Sequence, residues 1–210
     1  INVKSKDKEL VGRLFSAKII ELALSNYPGF FAGGGVKSGG PVLIYWPALV
    51  DSKHINEVVH FNGKSKELKP TSQLNFEEIY YQTQPVKIPD PPKGETSHVP
   101  LGTLFGARSG DKGGCANLGV WAKDLDAFAF LSSFLTIEKL KELMPDLKEF
   151  KIERFDLPNI LSLNFYIHDI LEDGVSSNSR KDAQAKSLGE YLRAKKANIP
   201  SSLLETLNES

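Results

Sequence analysis

Hydrophobic and polar positions alternate along EFKIERFDL (149–157), which predicts a half-buried strand with Phe150, Ile152 and Phe155 near one another. ILSLNFYIHDIL (160–171) predicts a second strand. Upstream, VPLGTLFGAR (99–108) and CANLGVWAK (115–123) read as two strands joined by a glycine-rich turn, GARSGDKGGCANLG (106–119). DAFAFLSSFL (126–135) and TIEKLKELM (136–144) read as helix, with Thr136 as the cap of the second. SRKDAQAKSLGEYLRAKK (179–196) predicts a closing helix, with Ser179 and Asp182 at capping-box spacing and Asp182 paired to Lys186. The order strand, strand, helices, strand, strand, helix predicts an α+β fold. In it a ferredoxin-like antiparallel sheet carries helices on one face.

The first part of the chain is read as a small strand-rich segment. RLFSAKIIELALSN (13–26) suits both periods and is taken as strand, as are PVLIYWPALV (41–50) and INEVVHFNG (55–63). YPGFFAGGGVKSGGP (27–41) between them is a glycine-rich connection. Five prolines in QTQPVKIPDPPKGETSHVP (82–100) exclude helix and central strand there. The expected organisation is residues 1–81, a linker at 82–98, and a domain at 99–200.

Composition narrows the function classes. Twenty-six basic residues balance twenty-six acidic ones, which argues against a nucleic-acid or anionic-membrane partner. The single cysteine, Cys115, excludes an internal disulfide and favours the cytoplasm or an organelle matrix. No run is long and apolar enough for a membrane span. The chain starts at Ile1 and holds one methionine, Met144, so it is read as processed or as part of a longer protein.

The turn carries the densest candidate chemistry. Arg108, Asp111 and Lys112 stand with Ser109, Gly110, Gly113 and Asn117, where backbone N–H groups and two cations suit an anion. The competing reading closes Asp111 onto Arg108 or Lys112 as a structural pair. The stretch is neither a phosphate-binding P-loop nor a GxSxG nucleophile elbow. Cys115 reads as a small buried residue, and His54, His60, His98 and His168 lack metal-ligand spacing, so no metal is expected. His168 is read as a surface pair with Asp169, and Arg180 and Lys181 as a solvated helix cap. Asn164, inside LSLNFYI, needs a polar partner, with the Gly110–Gly114 backbone or a ligand as the alternatives.

ARSGDKGGCANLGVWA (107–122) and RFDLPNILSLNFYIHDILEDGVSSNSRKDAQAKSLGEYL (154–192) resemble the C-terminal ferredoxin-fold domain of the acyclic terpene utilisation (AtuA-like) family. RLFSAKIIELALSNYPGF and YWPALVD resemble the end of that family's larger N-terminal domain. The family loop falls on Arg108, Ser109, Gly110, Asp111, Lys112, Gly113, Asn117 and Gly119, and its strand motif on Leu163, Asn164 and Phe165. The resemblance implies catabolism of branched isoprenoid acids handled as coenzyme A thioesters, by an enzyme or its accessory domain, with lyase or hydratase chemistry. Asp111, Lys112 and Ser109 are then the catalytic candidates. Arg108, Gly110, Gly113, Asn117 and Asn164 are the substrate-binding ones. No cofactor is implied beyond coenzyme A as part of the substrate. The implied partners are an acyl-CoA or carboxylate, the rest of the N-terminal domain, and further copies in a homo-oligomer. The alternative is a non-catalytic docking or oligomerisation module with a structural turn.

Overall fold

The computed structural model describes residues 2–23, 25, 28–31, 35, 39–68 and 85–205. They divide into two units, one of Ile1–Tyr45 with Ile88–Ser210 and the other of Trp46–Lys87. In the smaller unit, β1 (Glu57–Phe61) and β2 (Lys64–Leu68) form an antiparallel hairpin. Its turn is Asn62-Gly63, both at positive φ, the pair that a tight hairpin favours. The strand expected at 55–63 is therefore present.

Two other expected strands are not. Residues 13–26 give a helix, α2 (Arg13–Ala23), after a single turn, α1 (Lys8–Val11). Phe15, Ile19 and Ala23 are half-buried at a spacing of four, with Ser16 and Ala17 beside them, so the helical stripe prevails over the imperfect alternation. Lys18 and Glu21 add an ion pair at 2.7 Å on the exposed side. Residues 41–50 form neither helix nor strand and are exposed throughout. Pro41 and Pro47 interrupt the run's donors, and no partner strand among the described residues offers a ladder.

The larger unit is organised by a four-stranded antiparallel sheet in the order β4–β5–β7–β6. Its strands are β4 (Gly106–Lys112), β5 (Cys115–Trp121), β6 (Ile152–Leu157) and β7 (Ser162–Ile167). Between β5 and β6 come α3 (Leu125–Phe134) and α4 (Ile137–Leu143). β7 is inserted between the two strands that this crossover joins, the split β–α–β arrangement of a ferredoxin-like plait. The edge beside β5 is filled by β4, which precedes β5 in the chain. A separate two-stranded ladder pairs β3 (Thr96–Pro100) with β8 (Lys196–Pro200), and α6 (Ser201–Glu205) follows.

Strand alternation builds the core. Ala116, Leu118 and Val120 of β5 and Leu163, Phe165 and Ile167 of β7 point to one face and are buried with Phe128, Leu131, Leu140, Met144 and Leu147. Both helices start on side-chain caps. Asp124 accepts the Ala127 N–H at 2.8 Å and Thr136 accepts the Lys139 N–H at 3.1 Å, each worth about 1 kcal/mol.

The glycine-rich stretch at 106–119 is not a long turn. It is two strands with only Gly113-Gly114 between them, because Lys112 pairs with Cys115 and every residue from there to Gly106 and Trp121 joins the ladder. The closing helix is also shorter than 179–196, since α5 spans Leu188–Arg193. Asp182 explains this: its carboxylate accepts the N–H groups of Lys186 and Ser187 and the Ser187 hydroxyl, at 2.7–2.9 Å. It therefore shapes a turn rather than an ion pair with Lys186. Ala185, at φ 53, breaks any helical run through that turn.

Candidate functional site

With one face of the sheet buried, the opposite face is where polar side chains gather, and the strand register arranges them in rows. One row is Arg108, Gly119, Asn164 and Phe155. The next, toward the hairpin tip, is Gly110, Asn117, Tyr166 and Glu153. On the other side of the Arg108 row lie Gly106, Trp121, Ser162 and Leu157. Lys112 and Cys115 continue the pattern at the tip, with His168 just beyond β7.

The register separates the predicted residues. Arg108, Gly110, Lys112, Asn117 and Asn164 share the open face, whereas Ser109 and Asp111 alternate to the other side. Arg108 is exposed and its guanidinium makes no hydrogen bond or ion pair among the described residues. Lys112 Nζ donates to the Asp111 carbonyl at 3.0 Å, and the Asp111 carboxylate has no partner among the described residues. The structural pairing of Asp111 with Arg108 or Lys112 is thus not formed. Gly113 sits at the hairpin tip with φ 63, a conformation glycine adopts without strain.

Ser109 is only 5% exposed and its hydroxyl is fully engaged. It donates to the Lys186 carbonyl at 3.2 Å and accepts the Gly189 N–H at 2.9 Å, fixing the start of α5 against β4. Asn164 finds its partner in Asn117, whose Nδ2 donates to Asn164 Oδ1 at 3.4 Å, not in the Gly110–Gly114 backbone. The Asn164 NH₂ remains without a partner among the described residues.

Toward the tip, His168 Nε2 lies 2.6 Å from Glu153 Oε1, so its partner is Glu153 and not Asp169. This hydrogen bond, with a further one from Lys151, lowers the Glu153 carboxyl below its ordinary value. The Tyr166 ring meets His168 edge-on at 4.9 Å. A hydrogen bond with the Cys115 thiol raises the Tyr166 phenol above its ordinary value. Cys115 is therefore half-exposed on the polar face instead of buried. Arg180 and Lys181 do not cap a helix, because α5 begins at Leu188.

At the opposite end, Trp121, Phe155 and Leu157 are 42%, 47% and 41% exposed and give the face an apolar margin. Trp121 lies over Gly106, where a side chain would collide with the indole. Sequence reasoning missed Tyr166, Glu153 and Trp121, although counting by twos from Asn164 and Asn117 would have reached Tyr166 and Trp121. Among the described residues, no three His, Cys, Asp or Glu side chains are grouped to hold a metal, and no helix is long and apolar enough to cross a membrane.

Comparison with protein families matches residues 99–198 to the AtuA ferredoxin-like domain. Neither the curated proteins nor the solved structures gave a match. The matched segment contains the whole four-stranded sheet, both of its crossover helices, and the polar face. Residues 99–198 of this chain are an AtuA ferredoxin-like domain.

Proposed function

We propose that this chain is an enzyme, or the accessory domain of one, in the catabolism of branched isoprenoid acyl-CoA thioesters, with lyase or hydratase chemistry. The observation that supports it best is the unpaired Arg108 guanidinium on the same sheet face as the Asn117–Asn164 amide pair, beside the apolar margin of Trp121, Phe155 and Leu157. In this reading Arg108 takes a carboxylate or phosphate. The free Asn164 NH₂ polarises a thioester oxygen. The branched acyl chain lies on the aromatic margin. Lys112 adds charge at the tip, near Gly113. Asp111, on the edge strand, serves as acid or base for a group that reaches around that edge. Ser109 positions α5 and does not react. Coenzyme A enters only as part of the substrate. The remaining N-terminal domain or a second copy covers the face, and the protein works in the cytoplasm or an organelle matrix.

The test is calorimetric titration of the chain with geranyl-CoA and with free coenzyme A. Tighter binding of the thioester, lost in Arg108→Ala and Asn164→Ala, is the expected result. No preference for the thioester, or equal binding by both variants, overturns the reading.

A second reading, a docking or oligomerisation module, draws on the same margin, which Ile160 extends at 66% exposure. It expects a concentration-dependent dimer in sedimentation that Trp121→Ser abolishes, with no thioester binding at all.

A further inference from the structure

We infer that Lys186, which lies outside the loop and strand motifs, is the second cation of an oxyanion site on the open sheet face. Its seat is the space left by the missing side chain of Gly110. A Cβ built at Gly110 would stand 3.1 Å from Lys186 Nζ and 3.9 Å from Asn117 Oδ1. Lys186 belongs to the segment leading into α5, yet its ammonium lies against β4 at the side-chain position of Gly110.

The backbone around it is held from both sides. Asp182 accepts the Lys186 N–H at 2.8 Å, and the Lys186 carbonyl accepts the Ser109 hydroxyl at 3.2 Å. Ser187 is bound to Asp182 through both its N–H and its hydroxyl. A lysine whose backbone is fixed in this way loses less freedom when its ammonium takes an anion. The ammonium itself has no hydrogen-bond or ion-pair partner among the described residues. Arg108 is two positions from Gly110 on the same strand and face, so two unpaired cations approach one stretch of β4. The carboxylate on this face, Glu153, is already engaged by His168 and Lys151 at the far side of the sheet.

The ligand class is an oxyanion, a carboxylate or a phosphate, held by Arg108 in the fork geometry of a guanidinium and by Lys186 as a point charge. This rests on the proposed acyl-CoA reading for the source of that anion, but the site itself does not need it. Glycine at position 110 is then a requirement of ligand binding. The atom that a Gly110→Ala methyl would meet is the far end of a flexible side chain, so the fold tolerates the change while the ammonium is displaced.

The experiment titrates the full chain with inorganic phosphate, with 3-methylbut-2-enoate, and with geranyl-CoA, following the Lys186 side-chain resonances by NMR. Lys186→Met, Lys186→Arg and Gly110→Ala are compared at unchanged melting temperature. The inference expects at least one oxyanion to shift the Lys186 resonance. It also expects Lys186→Met and Gly110→Ala to weaken binding at least about tenfold, the scale of one charge-assisted hydrogen bond, and Lys186→Arg to restore part of it. Oxyanion binding that depends on Lys186 without any binding of geranyl-CoA upholds the inference and overturns the acyl-CoA reading. Geranyl-CoA binding that Arg108→Ala abolishes and Lys186→Met leaves intact does the reverse. No binding of any of the three overturns both.

Discussion

Gly189 donates its N–H to Ser109 Oγ at 2.9 Å, joining residues eighty positions apart and anchoring α5 to the edge strand of the sheet. The absent side chain of Gly189 permits this approach, since a Cβ there would stand 3.3 Å from the β4 backbone at Ala107 and Arg108. Ser109→Ala leaves the buried Gly189 N–H and the partly buried Lys186 carbonyl without this partner. The expected loss is about 2 kcal/mol of stability, read from the urea midpoint at unchanged slope. A serine acting as nucleophile predicts the opposite pattern, with lost turnover and an unaltered midpoint.

Gly106 makes a second close approach, because the Trp121 indole lies directly over its Cα. Gly106→Ala pushes the ring off the strand, at roughly 1–3 kcal/mol by the usual scale of overpacking. It also leaves Trp121 more exposed than its present 42%. Red-shifted tryptophan emission together with a lower melting temperature is the expected result, judged against Trp46→Phe to isolate the Trp121 signal. Unchanged emission would show that the indole does not depend on this glycine.

The two ends of the domain differ in how much could be read from residues alone. The helices at 125–134 and 137–143 carry local signals, an aspartate or threonine cap followed by an apolar face, and both form where those signals lie. The segment at 13–26 carries both periods, and only the half-buried stripe through Phe15, Ile19 and Ala23 shows which one prevails. The glycines at 106–119 were misleading for another reason. Gly106 and Gly110 serve the close approach of side chains, not a turn, and no local pattern distinguishes the two uses. The split of Arg108 and Lys112 from Ser109 and Asp111 follows from alternation once the stretch is known to be strand. Lys186 was illegible as a site residue because a segment 77 residues from Ser109 brings it there, and Asp182, taken as its ion-pair partner, bonds its backbone instead.

Glu153 gives a pH-dependent prediction. Its carboxyl is lowered from 4.5 chiefly by the hydrogen bond to His168 and then by Lys151, so the folded state binds its proton less readily than the unfolded one. The stabilisation is therefore present above pH 4.5 and is lost as pH falls through the depressed value. Glu153→Gln should lower the urea midpoint at about pH 6, with a smaller gap to the wild type at about pH 3, below the ordinary carboxylate value. A gap of the same size at both pH values would mean that the carboxylate charge is not its source.

Cys115 and Tyr166 provide the last test, because their side chains meet across adjacent strands on the open face. The phenol's hydrogen bond to the Cys115 sulfur, and then the Coulomb interaction with Cys115, both disfavour the phenolate, so Tyr166 is raised above 10.0. Cys115→Ala removes both. The Tyr166 phenol should then titrate at lower pH, seen as earlier tyrosinate absorbance in an alkaline difference titration. Tyr166→Phe identifies its contribution among the six tyrosines of the chain. The same pair predicts that Tyr166→Phe, by removing the hydroxyl that engages the thiol, changes the rate at which Cys115 reacts with a small alkylating agent. If Cys115→Ala leaves the Tyr166 titration where it was, the thiol and the phenol do not interact on this face.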